Sequence, residues 1–270
     1  MSRLAWLVAV CGFAFAPAVA LADEPKAKSA DPLERVLAAL DQEVLLKDGF
    51  NPNEVPLFEL LRGVAKRHDL NLVINENAFK QMGAPNIRDE KPGASATALR
   101  GITVRQFLNT TLEGLNASYL LKNGAVEVVP VRYAAQVARA AVGDDGGRGR
   151  LKEPLVSAVF KEKPLNEAVA RVAETYDLTV VVSPQAGDAK TGFVSARLLN
   201  VPADKALELL ALQCDLRVVR KGNAFLITGR DHANELFGEK LEQARQKIEV
   251  EKLREAPPKP PEKPAPVPEK

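Results

Sequence analysis

Side chains able to do chemistry are few in this chain and lie far apart. Its 270 residues include two histidines, His68 and His232, and two cysteines, Cys11 and Cys214. Acid–base or nucleophilic catalysis needs such groups converging in one place, and no H-E-x-x-H, G-x-S-x-G, paired-cysteine or Walker pattern occurs. His68 aligns with Tyr176 when the two halves of the chain are superposed, which suggests a half-exposed position near a helix end; His232 lies outside both halves. Cys214 aligns with Leu115 and reads as a small buried hydrophobe. Asp69, Asn116, Asp177 and Asp215 have the oxygen chemistry of a hard-cation site. Each ends a different helix, however, so they read as stop signals that tolerate a left-handed backbone. Gly143 to Arg150 is glycine-rich but lacks the Lys-Ser or Lys-Thr ending of a phosphate loop, and reads as a flexible linker. The sequons Asn109-Thr110-Thr111 and Asn116-Ala117-Ser118 decide nothing. No catalytic, cofactor-binding or metal residue is expected, and no enzymatic activity.

What these residues hang on is a unit that occurs twice. From Lys163 to Gly229, a helical stripe (Leu165, Ala168, Val169, Val172) gives way to the β-branched run Thr179–Val182. A second strand-like segment, Phe193–Leu199, precedes another helical stripe at Ala206, Leu207, Leu210 and Ala211. Leu216–Val219, a turn at Lys221-Gly222-Asn223 and Ala224–Ile227 then read as a hairpin. Upstream, Pro56, Leu57, Glu59, Val64, Ala65, Asp69, Leu70 and Val73 are identical to the residues 108 positions later. Beyond them the offset falls to 99, matching Ile102 to Val201, Leu108 to Leu207 and Val128 to Ile227. The extra residues of the first copy fall in Phe79 to Ser95, expected to be a loop. The fold class expected is α+β: two tandem small domains, each with two helices on short sheets in the order βαββαββ. Pro56 and Pro164 are expected at the first helical positions.

The flanks set the address. Arg3, the apolar run Leu4–Ala16 and the small residues up to Ala22 have the pattern of a secretory signal peptide over residues 1–22, with an uncleaved anchor as the alternative. Its removal would take away Arg3, Trp6 and Cys11, leaving 36 basic against 35 acidic residues and a single cysteine. Near-neutrality argues against a nucleic-acid binder working through bulk charge, and one cysteine leaves stability to packing. Residues 23–30 read as a disordered spacer. Asp31-Pro32-Leu33-Glu34 reads as a helix start, with Leu33, Val36, Leu37 and Leu40 buried. Glu43–Leu46 is expected to be the first strand of the first repeat, with a continued helix or a linker as alternatives, and Leu155–Phe160 that of the second.

Residues 31–131 thus make the first repeat and its leading helix, 132–150 a helix from Tyr133 to Val142 plus the glycine-rich linker, and 151–229 the second repeat. Residues 230–256 read as a charged helix, whose thin seam of Phe237, Leu241, Ala244 and Ile248 suits packing on the domain or on a second copy of the chain. Residues 257–270, rich in Pro, Lys and Glu, read as a disordered tail.

With Pro-Leu-x-Glu, Asp-Leu-x-x-Val, the Val201-Pro202 helix opening and the Gly-x-x-Phe-Leu-Ile-Thr hairpin in one order, the chain resembles the short N-terminal domain of bacterial secretins and TonB-dependent receptors. The second repeat matches throughout; the first carries the insert and has Gly101-Ile102-Thr103 at the helix opening. The resemblance implies a periplasmic docking or signalling module whose partner is an envelope protein, such as a secretin or another outer-membrane component. No series of amphipathic strands follows to build a pore or barrel. The expectation is therefore a non-enzymatic, exported envelope protein with paired docking modules. The alternatives are an envelope spacer tethered by its tail and, further off, a hydrolase with residues 79–95 as a lid.

Overall fold

The chain folds from short amphipathic helices laid on small sheets, and a computed structural model describes residues 31–44, 54–92, 101–145 and 148–255. The proposed signal segment, spacer, tail and Leu45-Leu46 lie outside the described residues, as do residues 93–100.

Helix α1, Pro32–Leu40, starts as its sequence dictates: Asp31 Oδ1 accepts from Leu33 N–H at 3.0 Å, Pro32 takes the first position, and Leu33, Val36, Leu37, Ala39 and Leu40 are buried. Glu43 then makes a single antiparallel bridge to Thr103. That bridge is all the described residues hold of the strand expected at 43–46. Helix α2, Leu57–Arg67, buries Leu57, Leu60, Leu61 and Val64, and carries Lys66 and Arg67 at its negative end. Strand β1, Leu72–Ile74, and helix α3, Glu76–Gln81, follow, then α4, Val104–Glu113, with a reciprocal capping box between Thr103 and Gln106. Strands β2, Ala117–Lys122, and β3, Ala125–Pro130, form a hairpin, and α5, Val131–Ala138, leaves β3 directly.

The second half follows. After β4, Val142–Asp145, and β5, Arg148–Leu151, come β6, Leu155–Pro164; α6, Leu165–Tyr176; β7, Thr179–Val182; a 3-10 helix, Pro184–Thr191; β8, Phe193–Pro202; α7, Ala203–Leu212; β9, Leu216–Lys221; β10, Ala224–Gly229; and α8, Arg230–Glu255. The sheet β1-β3-β2 and the sheet β7-β10-β9 have the same topology. In each, the last strand lies in the centre, parallel to the first and antiparallel to its hairpin partner. Two further antiparallel pairs are β4-β5 and β6-β8. Leucines and valines from the helices and the inner sheet faces fill one core in each half, with Phe107 and Leu108 fully buried in the first and Leu207 and Leu210 in the second. Such burial stabilises by about 1.5–3 kcal/mol per large side chain.

Four sequence expectations need correction. Gly143–Arg150, read as a flexible linker, includes most of the β4-β5 hairpin, where Gly149 lies close against Val142 and Arg132. The helix expected over Tyr133–Val142 is α5, which starts at Val131 and stops at Ala138 because Arg139 turns left-handed at φ 53°. The loop expected at residues 79–95 starts three residues later than its sequence suggests, after α3 ends at Gln81; residues 82–92 are turns and irregular chain, with Phe79 and Ile87 buried in the first core. Pro56 and Pro164 cap their helices from the preceding position instead of opening them.

Neither proline offers a side chain to the first helical amides, and carbonyls from elsewhere fill that role. Leu57 N–H donates to Glu90 C=O at 2.9 Å and Phe58 N–H to Arg88 C=O at 3.1 Å, while Leu165 N–H donates to Gly192 C=O at 2.8 Å. The insert of the first repeat thus caps α2.

The repeat also extends one helix further than its sequence suggests. Ala134 on α5 and Ala233 on α8, 99 positions apart, are both fully buried against the outer face of their sheets. The outer face of each sheet is therefore covered over its hairpin strands, while Val73 on β1 and Val181 on β7 stay exposed.

A candidate docking edge and a buried junction

In a three-stranded sheet the outer strands carry main-chain groups without a ladder partner on one side. Strand β1 is such an edge. Asn71 C=O accepts from Val126 N–H at 2.8 Å and Asn75 N–H donates to Val128 C=O at 3.0 Å. With the register Leu72–Val126 and Ile74–Val128, this makes Val73 the inward-bonding residue and turns the N–H and C=O of Leu72 and Ile74 outward.

Beside this edge runs a groove of about 450 Å³, lined by Phe58, Leu61, Arg62 and Ala65 of α2 and by Leu70 to Ile74. Arg88 closes one end, its guanidinium 3.9 Å from the Phe58 ring centroid and Nη1 2.8 Å from Glu76 Oε1. Both members of that ion pair are substantially exposed, so it holds the rim in place more than it stabilises the fold.

The second repeat offers a matching edge in β7. Ser183 N–H donates to Ile227 C=O at 2.8 Å, and the register with β10 turns Val180 and Val182 outward. Val73 and Val181, one of the eight identical pairs, are 46% and 50% exposed. An apolar residue repeated at an exposed position of an edge strand is the sequence signal of these edges.

Charged and aromatic groups meet elsewhere, where the two halves join. Arg105, only 3% exposed, donates from Nε and Nη2 to Asp41 Oδ1 at 3.2 and 2.9 Å, and from Nη1 to Tyr176 Oη at 3.1 Å and Tyr119 Oη at 3.5 Å. Burial pulls the Arg105 pKa down, but Tyr119, Tyr176 and Asp41 outweigh it and hold it above the ordinary value. Burial pushes the Tyr119 phenol up to about 12, against the pull of Arg105, and raises that of Tyr176. Tyr176 also serves the bulge in β6: its Oη accepts from Ser157 N–H at 2.7 Å and donates to Ser157 C=O at 3.0 Å. The cavity here holds about 20 Å³, room for one water at most. Its geometry is that of a joint.

Asn200 makes a second joint. Its backbone is left-handed at φ 53°, and its amide pairs with the main chain of Leu121 on β2: Oδ1 accepts from Leu121 N–H and Nδ2 donates to Leu121 C=O, both at 2.8 Å. A side chain from one half thereby occupies an edge position of the other half's sheet. Asp31 with Arg197 and Glu34 with Lys161 add ion pairs along the same junction.

The residues that the sequence singled out stay apart. His68, expected half-exposed, is 6% exposed, with Nδ1 3.2 Å from Gln42 Oε1 and Nε2 buried without a hydrogen-bond partner. Burial, helped by nearby Arg67, lowers its pKa. Gln42, 26 residues upstream, supplies a contact that the Tyr176 alignment could not reveal. His232 sits on α8, its Nδ1 3.3 Å from Glu235 Oε2. Cys214 is half-buried against Gly192, and burial raises its thiol pKa, which slows thiolate chemistry. Asp69, Asn116, Asp177 and Asp215 stand at four helix ends with φ between 50° and 55°. Among the described residues, no three His, Cys, Asp or Glu side chains are placed to hold a metal ion, and no helix is long and apolar enough to cross a membrane. No protein-family model and no curated protein matches the chain.

Proposed function

We propose that the chain is a docking module that binds an extended segment of another protein along the β1 edge. The observation that carries this reading is the outward N–H and C=O of Leu72 and Ile74, set beside the apolar groove under Phe58 and Leu61. An added strand would take its main-chain bonds from these two residues and lay alternate side chains into the groove. The resemblance to secretin and TonB-receptor N-terminal domains, together with the signal-like residues 1–22, favours an exported protein acting in the cell envelope. Its partner there would be an outer-membrane component. The α+β scaffold, folded as tandem modules, supplies the edge and contributes no groups to turnover.

A photo-crosslinking residue at Val73, compared with one at exposed Val137 on α5, tests the proposal in the intact cell. The expected result is an adduct at Val73 to one protein through an extended segment. A synthetic peptide of that segment should then slow hydrogen exchange at the Leu72 and Ile74 amides. Indistinguishable adducts at Val73 and Val137, or protection confined to other residues, would overturn it.

A further inference from the structure

Helix α8 carries a second surface, independent of the β1 edge. Its 26 residues would extend about 39 Å at 1.5 Å per residue, and Ala233 and Leu236 fasten its start to Val219 on the outer face of the second sheet. Past that contact, Phe237, Leu241 and Ile248 are 52%, 57% and 54% exposed, and Ala244 is exposed with them. At about 100° per residue these four fall within a stripe about 60° wide. That is the narrow seam of a helix pair; a helix lying in a lipid interface, or packed on a broad core, needs a face of about 100° or more.

The charges flanking the seam decide what fits it. Lys240 and Lys247 lie along one border and Arg245 along the other, while Glu235, Glu239, Glu242 and Glu249 fall toward the back of the helix. Lys240 also reaches the Arg220 carbonyl, which fixes it at the start of the seam. A second copy of α8 would set lysine and arginine against the same residues in either orientation, parallel or antiparallel. Like charges beside the seam disfavour that pairing. The acidic back of the helix likewise gives an anionic membrane nothing to hold.

We infer that the seam of α8 binds a helix of another protein whose own apolar seam is flanked by glutamate or aspartate. Two heptads of contact make this a modest interaction, with opposite charges supplying selectivity and encounter rate.

The test uses the full chain and two synthetic four-heptad helices with the same Ile and Leu seam, one flanked by Glu and the other by Lys. The Glu-flanked helix should bind at least tenfold more tightly, with affinity falling as salt is raised. Leu241→Asp should abolish binding, and the double substitution Arg245→Glu, Lys247→Glu should reverse the preference. All three positions are solvent-exposed, and circular dichroism checks that the variants remain folded. Equal binding of the two helices, or binding of neither, would overturn the inference. So would self-association lost on Leu241→Asp, or Leu241-dependent flotation with phosphatidylglycerol vesicles. The β1 edge is untouched by these substitutions, so failure here is separable from failure of the strand-docking proposal.

Discussion

Replacing Asn200 by alanine should loosen the joint between the two halves by an amount that can be worked out from its bonds. Leu121 is 2% exposed, and its N–H and C=O are both held at 2.8 Å by the Asn200 amide. Leaving two buried main-chain groups unpaired costs about 1–1.5 kcal/mol each. Alanine at a left-handed position adds about 1 kcal/mol, so Asn200→Ala should lose about 3–4 kcal/mol. Asn200→Gly forfeits the same bonds without the left-handed penalty and should recover about 1 kcal/mol of that loss. Asn200→Asp keeps an acceptor for Leu121 N–H but sets a carboxylate against Leu121 C=O, and should fall between parent and alanine. Urea unfolding followed by far-ultraviolet circular dichroism gives the energies, and hydrogen exchange at the Leu121 amide reports the bond itself. If Asn200→Ala unfolds within about 0.5 kcal/mol of the parent, or leaves Leu121 exchange unchanged, the joint does not bear on stability as argued.

Asp177→Gly should stabilise the chain by up to about 1 kcal/mol, since Asp177 holds φ 53° at the end of α6; a lower urea midpoint would contradict this. Gly192→Ala should destabilise it by about 1–3 kcal/mol, because the new Cβ would stand 2.7 Å from Cys214 Sγ. Adding Cys214→Ala should restore part of that loss, though Ala189 C=O at 3.1 Å remains close; thermal melts of the three variants decide it. His68 has its pKa lowered on folding, so the unfolded chain binds its proton more readily. Its contribution is therefore intact above the ordinary histidine pKa near 6.5 and is lost as pH falls below that. His68→Gln should flatten the fall in urea midpoint between about pH 7.5 and 5.5, and an unchanged slope would refute the assignment.

Local features announced themselves in the sequence, and tertiary ones did not. The left-handed backbone at Asp69, Asn116, Asp177 and Asp215 was legible because each Asx residue sits between a helical stripe and a strand-like run, a purely local conflict. The α1 start was legible for the same reason, with its cap, proline and acidic residue in sequence. The β4-β5 hairpin was not, because Gly143 to Arg150 has no apolar alternation and takes its order from Val142 and Arg132. Nor was the Arg105 junction: Asp41 lies 64 residues away and Tyr176 71, and no spacing rule connects them. The docking edge was half visible. The strand runs could be read, yet which of them lies at the margin of its sheet depends on β3 and β10 entering the middle.

The Asn200 amide also has a bearing on how the protein behaves in a crowded compartment. A ribbon of strands can grow without limit only if every newcomer leaves a fresh margin exposed, and here the outward main chain of Leu121, on the far margin of the first ribbon, is already taken by a side chain from the neighbouring half. A strand recruited at β1 therefore meets no open partner position at Leu121 across that sheet, which disfavours growth from both of its margins at once.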